Sequence, residues 1–82
     1  MKYLVFFEKS ADGSIWSRVP DLDGCYSTGN TIEEAREQVK EAIELYLEDL
    51  KDDSKPAPTP SYLKAEMIEV ARLKKVFQSF KL

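Results

Sequence analysis

The apolar side chains at the beginning of the chain follow a pattern that is typical of short antiparallel strands. Residues 3–8 are rich in β-branched and aromatic side chains, and Ser10-Ala11-Asp12-Gly13 then supplies a turn. Residues 14–19 predict a second strand, so that the pair forms a hairpin with Asp-Gly in its loop. Residues 25–28 predict a short third strand that ends at Gly29-Asn30. The pattern therefore predicts three consecutive antiparallel strands.

A long amphipathic helix follows the third strand. Thr31, with Glu34 three residues later, forms a capping box that satisfies backbone donors at a helix start. Apolar side chains then recur at spacings of three and four and predict one apolar stripe along a helix at 31–51. The prolines of residues 56–60 end the helix and favour an extended connector. The predicted stripe comprises Ala35, Val39, Ala42, Ile43, Tyr46 and Leu50.

The last segment fits two patterns. As a strand, residues 65–73 place Ile68 and Val70 on one face and Met67 on the other. As a helix, the apolar residues from Leu63 to Phe80 also form a stripe, and periodicity does not decide over so short a run. We predict a strand at 65–73 and leave the conformation of 74–82 open.

This order of elements predicts an α+β fold with two layers, antiparallel-rich and of the form β-β-β-α-β. We expect one domain at 1–73, with a Pro-rich connector at 55–62 within it. Residues 74–82 form a C-terminal tail that is a candidate for an oligomer interface.

Both faces of the predicted sheet are apolar, whereas one helix can cover only one of them. In the first strand, Val5 and Phe7 point to one side and Leu4 and Phe6 to the other, and Trp16 points away from Ile15. The uncovered face predicts a second protein, either another copy or a different partner. The interface candidates are Leu4, Phe6, Trp16, Arg18, Phe77 and Phe80.

The composition argues against an enzyme. The 82 residues include no histidine, one cysteine (Cys25) and three glycines. Imidazole catalysis, a cysteine-rich metal site and a phosphate-binding glycine loop therefore lack their residues. We predict no catalytic, metal or cofactor site, and we expect Cys25 to be a small half-buried apolar residue. The sequence shows no secretory signal and no apolar run of membrane-spanning length, so we expect a cytoplasmic protein.

The charge is unevenly distributed along the chain. Residues 1–60 carry 7 basic and 13 acidic side chains, whereas residues 61–82 carry 5 basic and 2 acidic ones. An acidic body repels nucleic acid phosphates and attracts a basic partner. This balance favours a protein partner over nucleic acid.

Two neighbouring segments resemble the HicB antitoxin family. Its signature, V-P-D-L-P-G-C followed by T-x-G-D-T-x-E-E-A, is similar to Val19–Cys25 and Thr28–Ala35. The resemblance covers about residues 1–60, and 65–73 fits the family's fourth strand. Asp23 replaces the usual proline, and Asn30 replaces an acidic residue.

The resemblance implies a partial ribonuclease-H-like fold without nuclease activity. It also implies a partner, a small basic HicA-type toxin that cleaves mRNA and whose catalytic surface the antitoxin occludes. We further expect a homo-dimer or homo-tetramer and no membrane association. Only 22 residues follow Pro60, so we expect no direct DNA binding without a further domain.

Two alternatives stay open. The first is a HicB-like homo-oligomer with a structural or regulatory role and no toxin. The second is a Mg²⁺-dependent nuclease that uses Glu8, Asp21 and Asp23. The apolar centre of the first strand, Leu4-Val5-Phe6, argues against the nuclease, since such a site needs a carboxylate there.

Overall fold

Three short strands and one long helix form the regular structure of residues 1–72, which are the residues described by the computed structural model. Strands β1 (Phe6–Lys9), β2 (Ile15–Arg18) and β3 (Tyr26–Gly29) form one antiparallel sheet in the order β1-β2-β3. Helix α1 (Ile32–Asp52) packs against β3 and β2. The predicted α+β class, the hairpin, the third strand and the helix are confirmed.

The register of the strands assigns each side chain to one of two sheet faces. Phe6 is opposite Arg18, and Arg18 is opposite Tyr26, so these three residues form a row across the sheet. Neighbouring residues of a strand point to opposite faces. Phe7 packs on the core and Ser17 is buried. The row that contains Arg18 therefore lies on the face turned away from α1.

The core lies between the sheet and α1, and a loop residue is at its centre. Val19, Leu22 and Cys25 are buried together with Val39 of α1. The backbone of the loop folds tightly, because Leu22 N donates to Val19 O and Cys25 N donates to Leu22 O, both at 3.0 Å. This geometry turns Leu22 inward until only 1% of it is exposed. The partly buried side chains around this core are Tyr3, Val5, Phe7, Ala42, Ile43, Tyr46 and Leu47.

The start of α1 has the hydrogen bonds of the predicted capping box. Glu34 N donates to Thr31 Oγ1 at 3.0 Å. In return, the Glu34 carboxylate accepts a hydrogen bond from Asn30 N at 2.6 Å, one residue before the cap. One free N–H of the first helical turn, on Glu34, and the N–H of Asn30 before the cap are thereby satisfied.

The end of α1 is closed by two backbone hydrogen bonds around Ser54. Ser54 N donates to Lys51 O at 3.0 Å, and Lys55 N donates to Leu50 O at 2.8 Å. This pair of bonds defines a Schellman motif, whose turning residue adopts a left-handed conformation. Ser54 has a φ of 57°. A serine therefore occupies a position that glycine prefers.

Replacing Ser54 with glycine is expected to raise the free energy of unfolding by about 0.5–1 kcal/mol. The left-handed conformation costs a residue with a Cβ about 1–2 kcal/mol, and the extra freedom of glycine in the unfolded chain offsets part of the gain. Urea denaturation followed by circular dichroism measures the change. The matched control is Lys55→Gly at the next exposed position, where φ is negative, and we expect no gain there. Equal effects in the two variants would contradict the assignment.

The predicted fourth strand is not formed within the described chain. Residues 65–72 pair with no strand, and all of them are exposed. The alternation of their side chains suits a strand, but a strand also needs a neighbour for its backbone hydrogen bonds. Here the chain leaves the body at Ser61, and residues 62–72 do not pair with the unpaired edge of β1. Leu73 and the tail at 74–82 lie outside the described residues.

Candidate protein-binding site

The sheet face turned away from α1 carries a continuous set of large side chains, which we call the outer face. Alternation along the three strands places every second residue on it. Helix α1 packs on the opposite face of the sheet, where the core lies. The outer face comprises Phe6, Glu8, Trp16, Arg18, Tyr26 and Thr28.

Two aromatic side chains stack on this face in a solvent-exposed position. The ring centroids of Trp16 and Tyr26 are 6.0 Å apart, and the ring planes are inclined by 27°. Trp16 is 46% exposed and Tyr26 is 60% exposed. Stacked aromatic pairs are rigid and offer a large apolar area, and these properties are typical of energetic centres in protein interfaces.

The guanidinium of Arg18 is positioned by two neighbours on β1. Its Cζ lies 4.8 Å from the centre of the Phe6 ring. Its Nε lies 4.0 Å from the carboxylate of Glu8, and both side chains are more than half exposed. An exposed ion pair of this length contributes little to stability. The contacts orient Arg18 along the face, and they leave most of its donors available to a partner.

A shallow depression lies beside the aromatic pair. Its volume is about 220 Å³, and its walls come from Glu8, Trp16, Ser17, Arg18 and Tyr26. Sites for drug-sized molecules usually enclose about 300–1,000 Å³. The depression is therefore of a size for one side chain of a protein partner, with an acidic and a basic group at its rim.

The outer face contains three of the six predicted interface residues, Phe6, Trp16 and Arg18. Leu4 precedes β1 and lines a different surface, and Phe77 and Phe80 lie outside the described residues. Tyr26 was not among the predicted residues, although its position opposite Arg18 could have been found by extending the alternation into the third strand. A role in partner contact stays a prediction for all of these side chains.

A second surface, which we call the groove, runs between residues 1–7 and α1. Its volume is about 540 Å³. Leu4, Ile43 and Leu47 are among its apolar lining residues. Its charged lining residues, all on α1, are Arg36, Lys40 and Glu44. The groove is thus apolar with more basic than acidic groups, although the chain as a whole is acidic.

The acidic residues considered for a nuclease are not brought together. Glu8 belongs to the outer face, opposite Trp16. Asp21 follows the other end of β2, where its carboxylate accepts hydrogen bonds from Ser61 N at 2.8 Å and from Ser61 Oγ at 2.5 Å. These two bonds hold the pKa of Asp21 below its ordinary value. Asp21 therefore anchors the connector to the loop after β2.

Cys25 lies in the core and is only 6% exposed, so it is more deeply buried than the predicted half-buried position. Burial raises the pKa of its thiol. The uncharged thiol is accordingly favoured, whereas a reactive cysteine requires the thiolate.

The sheet is thus covered by a helix on one side and carries exposed aromatic and arginine side chains on the other. A family model described as a HicB-like antitoxin of a bacterial toxin–antitoxin system matches residues 3–76. The chain therefore belongs to the HicB-like antitoxin family, and the resemblance found in the sequence is confirmed.

Individual relatives agree with this assignment. A UPF0150 protein of Synechocystis is 46% identical over 56 residues, which are 68% of this chain and 71% of the relative. A UPF0150 protein of Archaeoglobus fulgidus is 48% identical over 48 residues, or 58% of this chain and 70% of the relative. A chain of the solved HicA3 and HicB3 toxin–antitoxin complex matches with a TM-score of 0.62 and 32% identity, covering 73% of this chain and 69% of that chain.

The described residues contain no helix that combines the length and the apolar character needed to cross a membrane.

Proposed function

We propose that this chain is an antitoxin that binds a small basic HicA-type toxin and covers the surface with which the toxin cleaves mRNA. The observation that carries the proposal is the exposed stack of Trp16 and Tyr26 beside Arg18 on the outer face. Family membership and the structural likeness to a chain of a HicA3–HicB3 complex support the same partner class. In this proposal the chain acts by binding, and it supplies no catalytic group.

The charge of the chain supports a basic partner. Residues 1–60 carry six more acidic than basic side chains. A net negative body raises the rate at which it meets a cationic protein, and added salt screens this attraction. Association with the toxin should therefore slow as the salt concentration rises.

The outer face offers complementary chemistry for such a partner. Trp16 and Tyr26 provide apolar area, and Glu8 at the rim of the depression can accept hydrogen bonds from a lysine or arginine of the toxin. A partner that covers this face removes water from the aromatic pair, which increases the effect of each polar contact. Because Glu8 and Arg18 balance each other in charge, the toxin would be held on this face mainly by apolar contact, and the acidic charge elsewhere on the chain would speed its approach.

Replacing Trp16 with alanine is expected to weaken toxin binding at least tenfold. The substitution removes the largest exposed side chain of the outer face, and truncation of a central aromatic residue in an interface commonly costs more than 1 kcal/mol. The probe is a HicA-type toxin from the same genome, carrying an inactivating substitution so that it can be purified. Isothermal titration gives the dissociation constant, and mRNA cleavage by the active toxin shows whether inhibition is lost in parallel.

The matched control is Leu45→Ala, which truncates an exposed apolar residue on α1. We expect its toxin affinity to equal that of the wild type. Thermal unfolding of both variants verifies that the fold is retained. Wild-type affinity in Trp16→Ala, with weakened binding in Leu45→Ala, would place the toxin on the helix and contradict the proposal.

A second candidate is a homo-oligomeric regulatory domain that has no toxin. It is favoured by the exposed apolar residues after the connector, which include Leu63 and Met67. This candidate predicts a stable oligomer and no measurable affinity for the toxin probe. Both candidates place the protein in the cytoplasm.

A further inference from the structure

The residues after the connector form an exposed segment with strand character, which we call the C-terminal segment (residues 61–72). All twelve residues are exposed, and the segment contains no helix, turn or bend. It also contains neither proline nor glycine, so each residue has a backbone N–H and ordinary strand geometry is open to it. Leu63 is 101% exposed and Met67 is 97% exposed. Among residues 1–72, this segment therefore packs against no other part of the chain.

The sheet has a free edge that can receive another strand. β1 pairs with β2 on one side, and within the described residues no strand pairs with its other side. An unpaired edge presents a row of backbone N–H and C=O groups that can bind an additional strand. The described residues thus include both an exposed segment whose sequence suits a strand and a sheet edge to which no strand is paired.

The groove lies beside this edge, and its apolar lining matches the apolar side chains of the C-terminal segment. Leu4 and Ile43 belong to its apolar lining, and Ile68 and Val70 follow each other at strand spacing on one side of the segment. Charge does not add to this match, because the segment carries two basic and two acidic residues and Glu66 already pairs with Lys64 at 3.1 Å.

The segment leaves its own body at a fixed point. Tyr3 Oη donates to Pro58 O at 2.5 Å, and Ser61 donates twice to the Asp21 carboxylate. These contacts anchor the connector at the end of the sheet where β1 begins. Residues 62–72 are all exposed, so this part of the segment does not lie along the β1 edge of its own chain.

We propose that the C-terminal segment of one copy adds as a fourth strand to the β1 edge of a second copy and covers its groove, in a reciprocal exchange that forms a dimer. The exchange supplies the strand that the sequence predicts at 65–73 and the cover that the groove lacks. It involves the sheet edge and not the outer face. It therefore goes beyond toxin binding and does not depend on it.

The test compares the full-length wild type with Ile68→Pro, in the absence of toxin. Proline removes a backbone donor from the middle of the exchanged strand, whereas in a monomer this exposed position contacts nothing that the change could disturb. Light scattering after size exclusion should show a wild-type dimer and a shift to monomer in Ile68→Pro, with the dimer dissociation constant raised at least tenfold. Ala57→Pro, in the Pro-rich connector, is the matched proline control and should remain a dimer.

Hydrogen exchange measured at high and low protein concentration identifies the surfaces that meet. We expect amides of residues 65–72 and of β1 to become protected together as the dimer forms, and this protection to be lost in Ile68→Pro. A monomeric wild type, or a dimer that persists in Ile68→Pro, would overturn the proposal. Protection of 65–72 that is independent of concentration would also overturn it, because the segment would then be folded onto its own chain.

Discussion

Replacing Leu22 with alanine is expected to lower the free energy of unfolding by about 3 kcal/mol. Leu22 is 1% exposed and belongs to the core cluster together with Val19, Cys25 and Val39. Removing its side-chain carbons loses apolar burial and leaves a cavity, and buried leucine-to-alanine changes cost about 2–5 kcal/mol. A small domain has little stability in reserve. Urea denaturation followed at 222 nm should therefore show a large decrease in the midpoint.

The control for this change is Leu45→Ala, since the same side chain is truncated at a position that is 58% exposed. Its effect should stay within about 0.5 kcal/mol. Protein concentration must be equal in all samples, because self-association would add to the apparent stability. If both leucine variants lose the same stability, the loop after β2 is not part of the core.

The burial of Leu22 also affects the connector. The loop that turns Leu22 inward carries Asp21, and Asp21 holds Ser61 through two hydrogen bonds. A packing residue in the core thus fixes the point at which the C-terminal segment leaves the body. Leu22→Ala should for this reason also increase the exchange rate of the Ser61 amide.

Local rules were sufficient to predict much of this structure. The capping box of Thr31 and Glu34 depends on residues three apart, and its hydrogen bond forms as expected. Alternation in the second strand separated Trp16 from Ile15 and Val19, and Trp16 is exposed while Val19 is buried and Ile15 is half-buried. These features follow from the fixed periods of strands and helices, so they can be recognised from residues that are close together in the sequence.

Other features depend on contacts that no local pattern contains. Leu22 lies in a loop without periodicity, so its central place in the core was not predicted. The bond between Asp21 and Ser61 joins residues 40 positions apart, whereas the sequence around Asp21 suggested a possible nuclease carboxylate. The predicted strand at 65–73 shows the same limit, because alternation indicates a tendency to form a strand but does not identify the edge that it joins.

The two proposals assign different tasks to different parts of one sheet. The aromatic stack of the outer face would bind the toxin, whereas the β1 edge and the groove would bind a second copy. Trp16 lies on the central strand of the sheet, away from the free edge of β1. The two variants should therefore lose different properties. Trp16→Ala should lose toxin affinity and remain a dimer, whereas Ile68→Pro should become monomeric and keep an intact outer face.

Replacing Gly29 with alanine is expected to lower the free energy of unfolding by about 2–3 kcal/mol. A Cβ at this position would lie 2.6 Å from the backbone N of Ala35 and 2.8 Å from its Cα. These atoms belong to the first turn of α1, so relief of the clash requires the helix itself to move. Overpacking a well-packed site typically costs about 1–3 kcal/mol. A shift of the helix start would in addition weaken the bond from Glu34 N to Thr31.

Two controls isolate the cause of this loss. Thr28→Ala changes the neighbouring residue of β3, whose side chain is exposed, and should cost no more than about 0.5 kcal/mol. Gly13→Ala introduces the same methyl group where no atom lies within 4 Å but φ is 91°, so its cost comes from the backbone alone. Urea denaturation of the three variants ranks these effects. If Gly29→Ala remains as stable as Thr28→Ala, the start of α1 can move away from β3 at little cost, and close strand–helix contact is not what requires glycine at this position.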